Sequence, residues 1–148
     1  MEPNTKTGIG IVKTFTIDEV NQLLPSLSNK LRDVLFLNER IKSLGYDMEN
    51  LVSIWGNDLM EKGHTDYEYY FWMISEREKI FQQLTKNVGD IQALGCIIKD
   101  IDNGLVDFYY DNEGELVFLC WKYGEDKIRH WHTIDTGFQD RRDVKKLK

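Results

Sequence analysis

Three residues near the end of the chain, His130-Trp131-His132, are the first that could do chemistry. Side chains alternate along an extended strand, so both imidazoles would point to one side and the indole to the other. An HxH pair can ligate zinc or another transition metal, but it supplies only two of the three or four ligands needed. Cys120 is the soft donor that could join them, which makes Cys120, His130 and His132 the metal candidates. A carboxylate beside an imidazole is also common acid–base equipment, and Asp107 is the carboxylate that an antiparallel sheet would bring nearest. The chain contains no GxGxxG, P-loop, GxSxG or HExxH motif. The sequence leaves the cofactor unknown.

These residues need a sheet to hold them, and the second half of the chain supplies one. Its apolar period is 2 from Cys96 onward. Strand candidates are Cys96–Ile101, Leu105–Tyr110, Glu115–Trp121 and Ile128–Thr133. Asn103-Gly104 reads as a type I′ hairpin turn. The first half reads as helices. Thr16 to Glu19 fits a capping box, and Pro25 predicts a kink or a new helix start. Leu27, Leu31, Val34, Leu35, Ile41 and Leu44 recur at helical spacing up to Gly45, the expected end of that helix. A shorter helical pattern follows from Met48 to Leu59, and a long one runs from Tyr67 to Ile91. The expected fold class is α+β: a long antiparallel helical hairpin followed by a small four-stranded antiparallel meander. Residues 1–14 read as a flexible N-terminal arm. Residues 15–140 form the domain, helical over 15–95 and sheet over 96–134, and 141–148 form a basic C-terminal tail.

Register decides which side chains meet. A two-residue loop at Asn103-Gly104 would set Asp100 opposite Asp107 and Ile101 opposite Val106. An even loop at 111–114 would pair Phe108 with Val117. One face then holds Ile97, Ile101, Val106, Phe108, Val117, Leu119 and Trp121, a core. The other holds Ile98, Asp100, Asp102, Leu105, Asp107, Tyr109, Leu116, Phe118 and Cys120, where an apolar patch would need covering, for instance by another subunit. The turn at Gly124 leaves two outcomes. An even loop sends His130 and His132 into the core face, and an odd one sets them with Cys120 and Asp107. Even then Asp107 and His132 would stand two strands apart, roughly 10 Å, too far for a direct hydrogen bond.

Composition narrows the class. The chain has 148 residues, enough for one core, with 41% hydrophobic and 30% charged residues. A net charge of −6 argues against nucleic acid as partner. Two cysteines make no disulfide framework, and no apolar run suits a signal sequence or a membrane span, so the expected location is cytoplasmic.

Several of these strings resemble a known family. The first helix FTIDEVNQLLPSL (Phe15–Leu27), KDIDNGLVDF (Lys99–Phe108) and LCWKYGEDKIRHWHTIDTGF (Leu119–Phe138), with Arg141 behind, are similar to the bacterial and archaeal domain of unknown function 2203. The resemblance implies that the family pattern includes Lys99, Asp107, Cys120, Glu125, Trp131, His132, Gly137, Phe138 and Arg141, but not His130. It adds Glu125, Trp131 and Arg141 to Asp107 and His132 as ligand-binding candidates.

Two functions compete on this reading. The first is a cytoplasmic interaction or oligomerisation protein, a homodimer or a binder of another protein, marked by an uncovered stripe on the hairpin. The second is a small-molecule-binding protein or enzyme at the sheet end, possibly metal-assisted. Its mark is a pocket on which Asp107, Glu125, His132 and Arg141 converge. If His132 is a buried hydrogen-bonding residue, replacing it with alanine is expected to cost about 1–3 kcal/mol.

Overall fold

The computed structural model describes residues 4–7 and 10–147. Two short strands, β1 (Asn4–Thr7) and β2 (Gly10–Lys13), pair antiparallel. They occupy most of the stretch expected to be a flexible arm. The rest of that stretch, residues 1–3, 8 and 9, lies outside the described residues. Helix α1 (Ile17–Trp55) opens on the expected capping box. Thr16 Oγ1 accepts from Glu19 N–H at 3.1 Å, and Glu19 Oε1 accepts from Thr16 N–H at 2.8 Å.

That helix corrects two expectations. It neither restarts at Pro25 nor ends at Gly45, but runs unbroken for 39 residues to a cap at Gly56. An interior proline costs about 3 kcal/mol. One continuous buried stripe (Val20, Leu24, Leu27, Leu31, Val34, Leu44, Met48) outweighs it. A 3-10 turn over Gly56–Met60 leads towards helix α2 (Tyr67–Gln92), which returns antiparallel along α1. Met73 and Ile80 meet Leu44 and Met48 in a small core at the far end of the hairpin. Leu84 and Ile91 join Leu27, Leu31 and Val34 in the main core against the sheet.

The sheet has five strands, not four, in the order β3 (Ile97–Asp100), β4 (Leu105–Asn112), β5 (Glu115–Lys122), β6 (His130–Thr133) and β7 (Arg142–Asp143). The fifth strand comes from the segment expected to be a loose basic tail. Its backbone pairs with β6, Trp131 Nε1–H donates to Asp143 O at 3.2 Å, and the Arg142 guanidinium lies 5.1 Å from the centre of the Trp131 ring. Val144 and Leu147 then pack onto the main core.

The face assignment of the central strands agrees with the sequence reading, although the pairing slides by two residues. Phe108 pairs with Leu119 and Asn112 with Glu115, around a turn in which Glu113 (φ 55°) and Gly114 (φ 93°) both take the left-handed region. A shift of two preserves parity, so Val106, Phe108, Val117, Leu119 and Trp121 form the core face as expected. The β3–β4 pairing differs more. A bulge between Ile98 and Asp100 sets Ile97, not Asp100, opposite Asp107 and turns Ile98 into the core. Gly104 alone has positive φ in that turn. Asp100 caps it instead, accepting from Asn103 N–H at 3.1 Å and Asn103 Nδ2 at 2.7 Å, which holds its carboxyl below the usual range. Asp102 ties the turn to α1 through Lys42 and through Asn38 Nδ2 at 2.8 Å.

Candidate functional site

The connection 123–129 is odd, so β6 enters with Cys120 opposite His130 and Phe118 opposite His132. Both histidines therefore face the side that carries Asp107. The expected 10 Å gap is absent: His132 Nε2 lies 2.9 Å from Asp107 Oδ2. Two causes close it. The imidazole is long, and small Cys120 occupies the intervening strand. Both partners are 2% exposed.

The second ring nitrogen fixes the proton inventory. His132 Nδ1 is 2.7 Å from the Thr133 carbonyl oxygen, which only accepts, so Nδ1 carries a hydrogen. Nε2 and Oδ2 then share one proton, as imidazolium–carboxylate or as imidazole–carboxylic acid. Burial pushes the Asp107 carboxyl up, opposed by the positive charge of His132. Asp107 Oδ1 is buried and receives no hydrogen bond. Cys120 is buried with them, and donor atoms of all three residues lie within 4.8 Å of one another. Burial first, and then the Asp107 charge, push the Cys120 thiol up to about 12.

A cavity of about 100 Å³ borders this group. Lys99, Leu105, Thr136, Gly137 and Phe138 complete its walls. The sequence reading proposed none of these five as site residues. Lys99 sits at the bulge, where period-2 reasoning fails, and 136–138 follow the last regular strand residue of β6. The Lys99 ammonium also stands 4.5 Å from the centre of the Phe118 ring, and Tyr109 and His132 flank that ring. Phe118 is thereby covered from within the chain, so the exposed patch expected there does not exist.

Glu125, Arg141 and His130 form a second cluster, joined to the first where Arg141 meets the Cys120 sulfur. Arg141 holds Glu125 with both ends of its guanidinium, Nη2 to Oε2 at 2.7 Å and Nη1 to Oε1 at 3.3 Å, and donates also to His130 Nδ1. Glu125 Oε1 accepts from Lys122 N–H at 2.8 Å, and its carbonyl takes the Trp121 indole N–H at 2.9 Å. The Phe138 ring lies between Arg141 (4.6 Å) and Lys122 (5.3 Å). Trp131 packs in the core on the opposite face. The structure therefore brings Asp107, Cys120 and His132 together, pairs Glu125 with Arg141 and His130, and places Trp131 apart from both. Breaking the charged pair with Arg141→Met is expected to cost about 1–3 kcal/mol in urea unfolding, because Glu125 stays partly buried without its donor.

Among the described residues no helix is long and apolar enough to cross a membrane. A family described as an uncharacterized conserved protein, DUF2203, matches residues 13–144. No curated protein and no solved structure matches the chain.

Proposed function

The chain belongs to the DUF2203 family, and we propose that it acts in the cytoplasm as an interaction protein that forms a homodimer through the groove between its two helices. The exposed apolar lining of that groove carries the reading. Ile41, Ile74 and Phe81 line one hollow of about 360 Å³, Met48, Val52 and Tyr70 another of the same size, and Arg77 lies on both. Phe81 is 54% exposed and Val52 44%. Isolated apolar side chains on a surface are ordinary, but a continuous row along two helices is the mark of a covered face.

A second copy of the chain fits this face in charge. The hollows run from Ile41 to Ser53 on α1 and from Tyr70 to Phe81 on α2, so the apolar groove is about 18 Å long. Two adjacent helices make it about 20 Å wide, so it supplies roughly 360 Å² as the apolar centre of a standard interface of about 800 Å² per copy. The groove carries both signs, with Arg77 beside Glu78 and Glu49 close by. Across a twofold axis, Arg77 can face Glu78 of the partner subunit, and the two hairpins close as a four-helix bundle. Both cysteines are free and buried, which suits a reducing compartment.

A second reading, a small-molecule site at the sheet, draws support from the cavity beside Asp107 and His132. It is narrower than the sequence suggested. Arg141 is occupied by Glu125 and would have to leave that partner to hold an anion.

Phe81→Glu tests the groove. It would bury an unpaired charge twice, once per copy, so the dimer dissociation constant should rise by more than about 100-fold. Phe36 is exposed on α1 about 140° round the helix from Ile41, so Phe36→Glu should leave association unchanged. Sedimentation velocity on both variants reads the result. Equal association in Phe81→Glu and wild type would remove the groove from the account.

A further inference from the structure

We propose that Asp107, Cys120 and His132 form a zinc site, with one coordination position left open to the adjoining cavity. The His132 imidazole is already fixed in orientation. Its Nδ1–H is committed to the Thr133 carbonyl at 2.7 Å, which aims the Nε2 lone pair at Asp107. Metal-bound histidines are held in this way by their second nitrogen. Nε2 and a carboxylate oxygen both accept hydrogen bonds, and at 2.9 Å something positive must stand between them. A proton can do this, and so can a cation.

Two further groups favour the cation. Asp107 Oδ1 is buried without a hydrogen bond of ordinary geometry, and the one donor that a shared proton on Oδ2 leaves beside the carboxylate is the weak Cys120 thiol. Cys120 brings a third donor within 4.8 Å. One imidazole nitrogen, one carboxylate oxygen and one sulfur make a mixed set that suits zinc better than calcium or magnesium, which prefer oxygen alone. A divalent ion with a thiolate and a carboxylate forms a neutral set, and the neighbouring cations Lys99 and Arg141 favour the anionic forms of Asp107 and Cys120. Bonds of about 2.0–2.3 Å at tetrahedral angles place ligand atoms roughly 3.3–3.7 Å apart, so His132 and Asp107 need to part by about half an ångström. Three protein ligands leave a fourth position, and the cavity of about 100 Å³ lies beside it. A water or a small ligand donor atom fits there. His130, held by Arg141, is not part of the set.

Binding would displace the proton shared by Asp107 and His132 and the proton on Cys120. Near neutral pH about two protons should leave per metal ion bound. Calorimetric titration of the chelator-stripped full chain with zinc, in buffers of different ionisation enthalpy, counts them directly. Cobalt(II) supplies the spectroscopic test. One equivalent should give a thiolate-to-cobalt charge-transfer band in the near ultraviolet, lost on zinc addition, absent in Cys120→Ser and retained in Cys96→Ser. Zinc affinity in Cys120→Ser should fall by more than about 100-fold, beyond the loss caused by removing a group that only orients a ligand. Failure of the wild type to bind one equivalent overturns the proposal, as does a charge-transfer band of full intensity in Cys120→Ser. If that variant does not fold, the proton count on the wild type decides: about two supports the site, and none overturns it.

Discussion

Replacing His132 with alanine should cost about 3–5 kcal/mol, more than the 1–3 kcal/mol that a buried neutral hydrogen bond would lose. The difference lies in what the substitution leaves behind. Asp107 is 2% exposed, its Oδ1 already lacks a hydrogen bond, and without His132 its Oδ2 loses the partner at 2.9 Å. A carboxylate in that position must either stay charged without a counter-ion or take a proton. The deficit should therefore shrink as pH falls towards the ordinary carboxylate range. The wild type has a related signature. Burial raises the folded Asp107 carboxyl above its unfolded value, so the folded state holds the proton longer. The stability that this proton confers is present in full below the unfolded value and is lost as pH rises through the folded one. Asp107→Asn carries an amide that donates to Nε2 without a titrating proton, so it should flatten this dependence. Urea unfolding of the three proteins between pH 4 and 8 reads both effects. A loss under about 1 kcal/mol for His132→Ala would mean that the pair is not desolvated.

Gly104→Ala should cost about 2–5 kcal/mol. A Cβ at Gly104 would stand 2.7 Å from Tyr123 Cβ, and φ is +65°. The left-handed conformation contributes about 1–2 kcal/mol and the overlap about 1–3. Tyr123 cannot retreat freely, because its N–H donates to the Gly104 carbonyl at 2.8 Å. This contact locks the β3–β4 turn against the end of β5, and so places Lys99 and Leu105 on the cavity wall. Thermal and urea unfolding of the variant check the figure, and a loss below 1 kcal/mol would mean that the turn moves without resistance.

The sequence made the helical hairpin legible because the apolar stripe of α1 and α2 repeats over many turns. It misplaced the helix ends because Pro25 and Gly45 are local signals, and the buried face from Val20 to Met48 overrides them. The parity of β4 and β5 was legible for a similar reason: alternation of Val106, Phe108, Val117, Leu119 and Trp121 fixes the face. Alternation cannot fix a shift of two residues, nor reveal a bulge, so Asp100 was set against Asp107 when Ile97 takes that place. Of the site, Asp107, Cys120 and His132 were named, but the distance between the first and last was overstated. Strand spacing measures backbones, and two side chains reaching over a cysteine shorten the gap. The fifth strand was hidden by composition. The charges of Arg141, Arg142, Lys145 and Lys146 mask Val144 and Leu147, the two residues that anchor the segment.

The proposed dimer predicts one mass directly. Sedimentation equilibrium of the unmodified chain, from low to high micromolar concentration, should show a single species of twice 17.5 kDa that dissociates only on dilution. A mass of 17.5 kDa throughout that range would contradict the proposal that a second copy covers the hairpin groove.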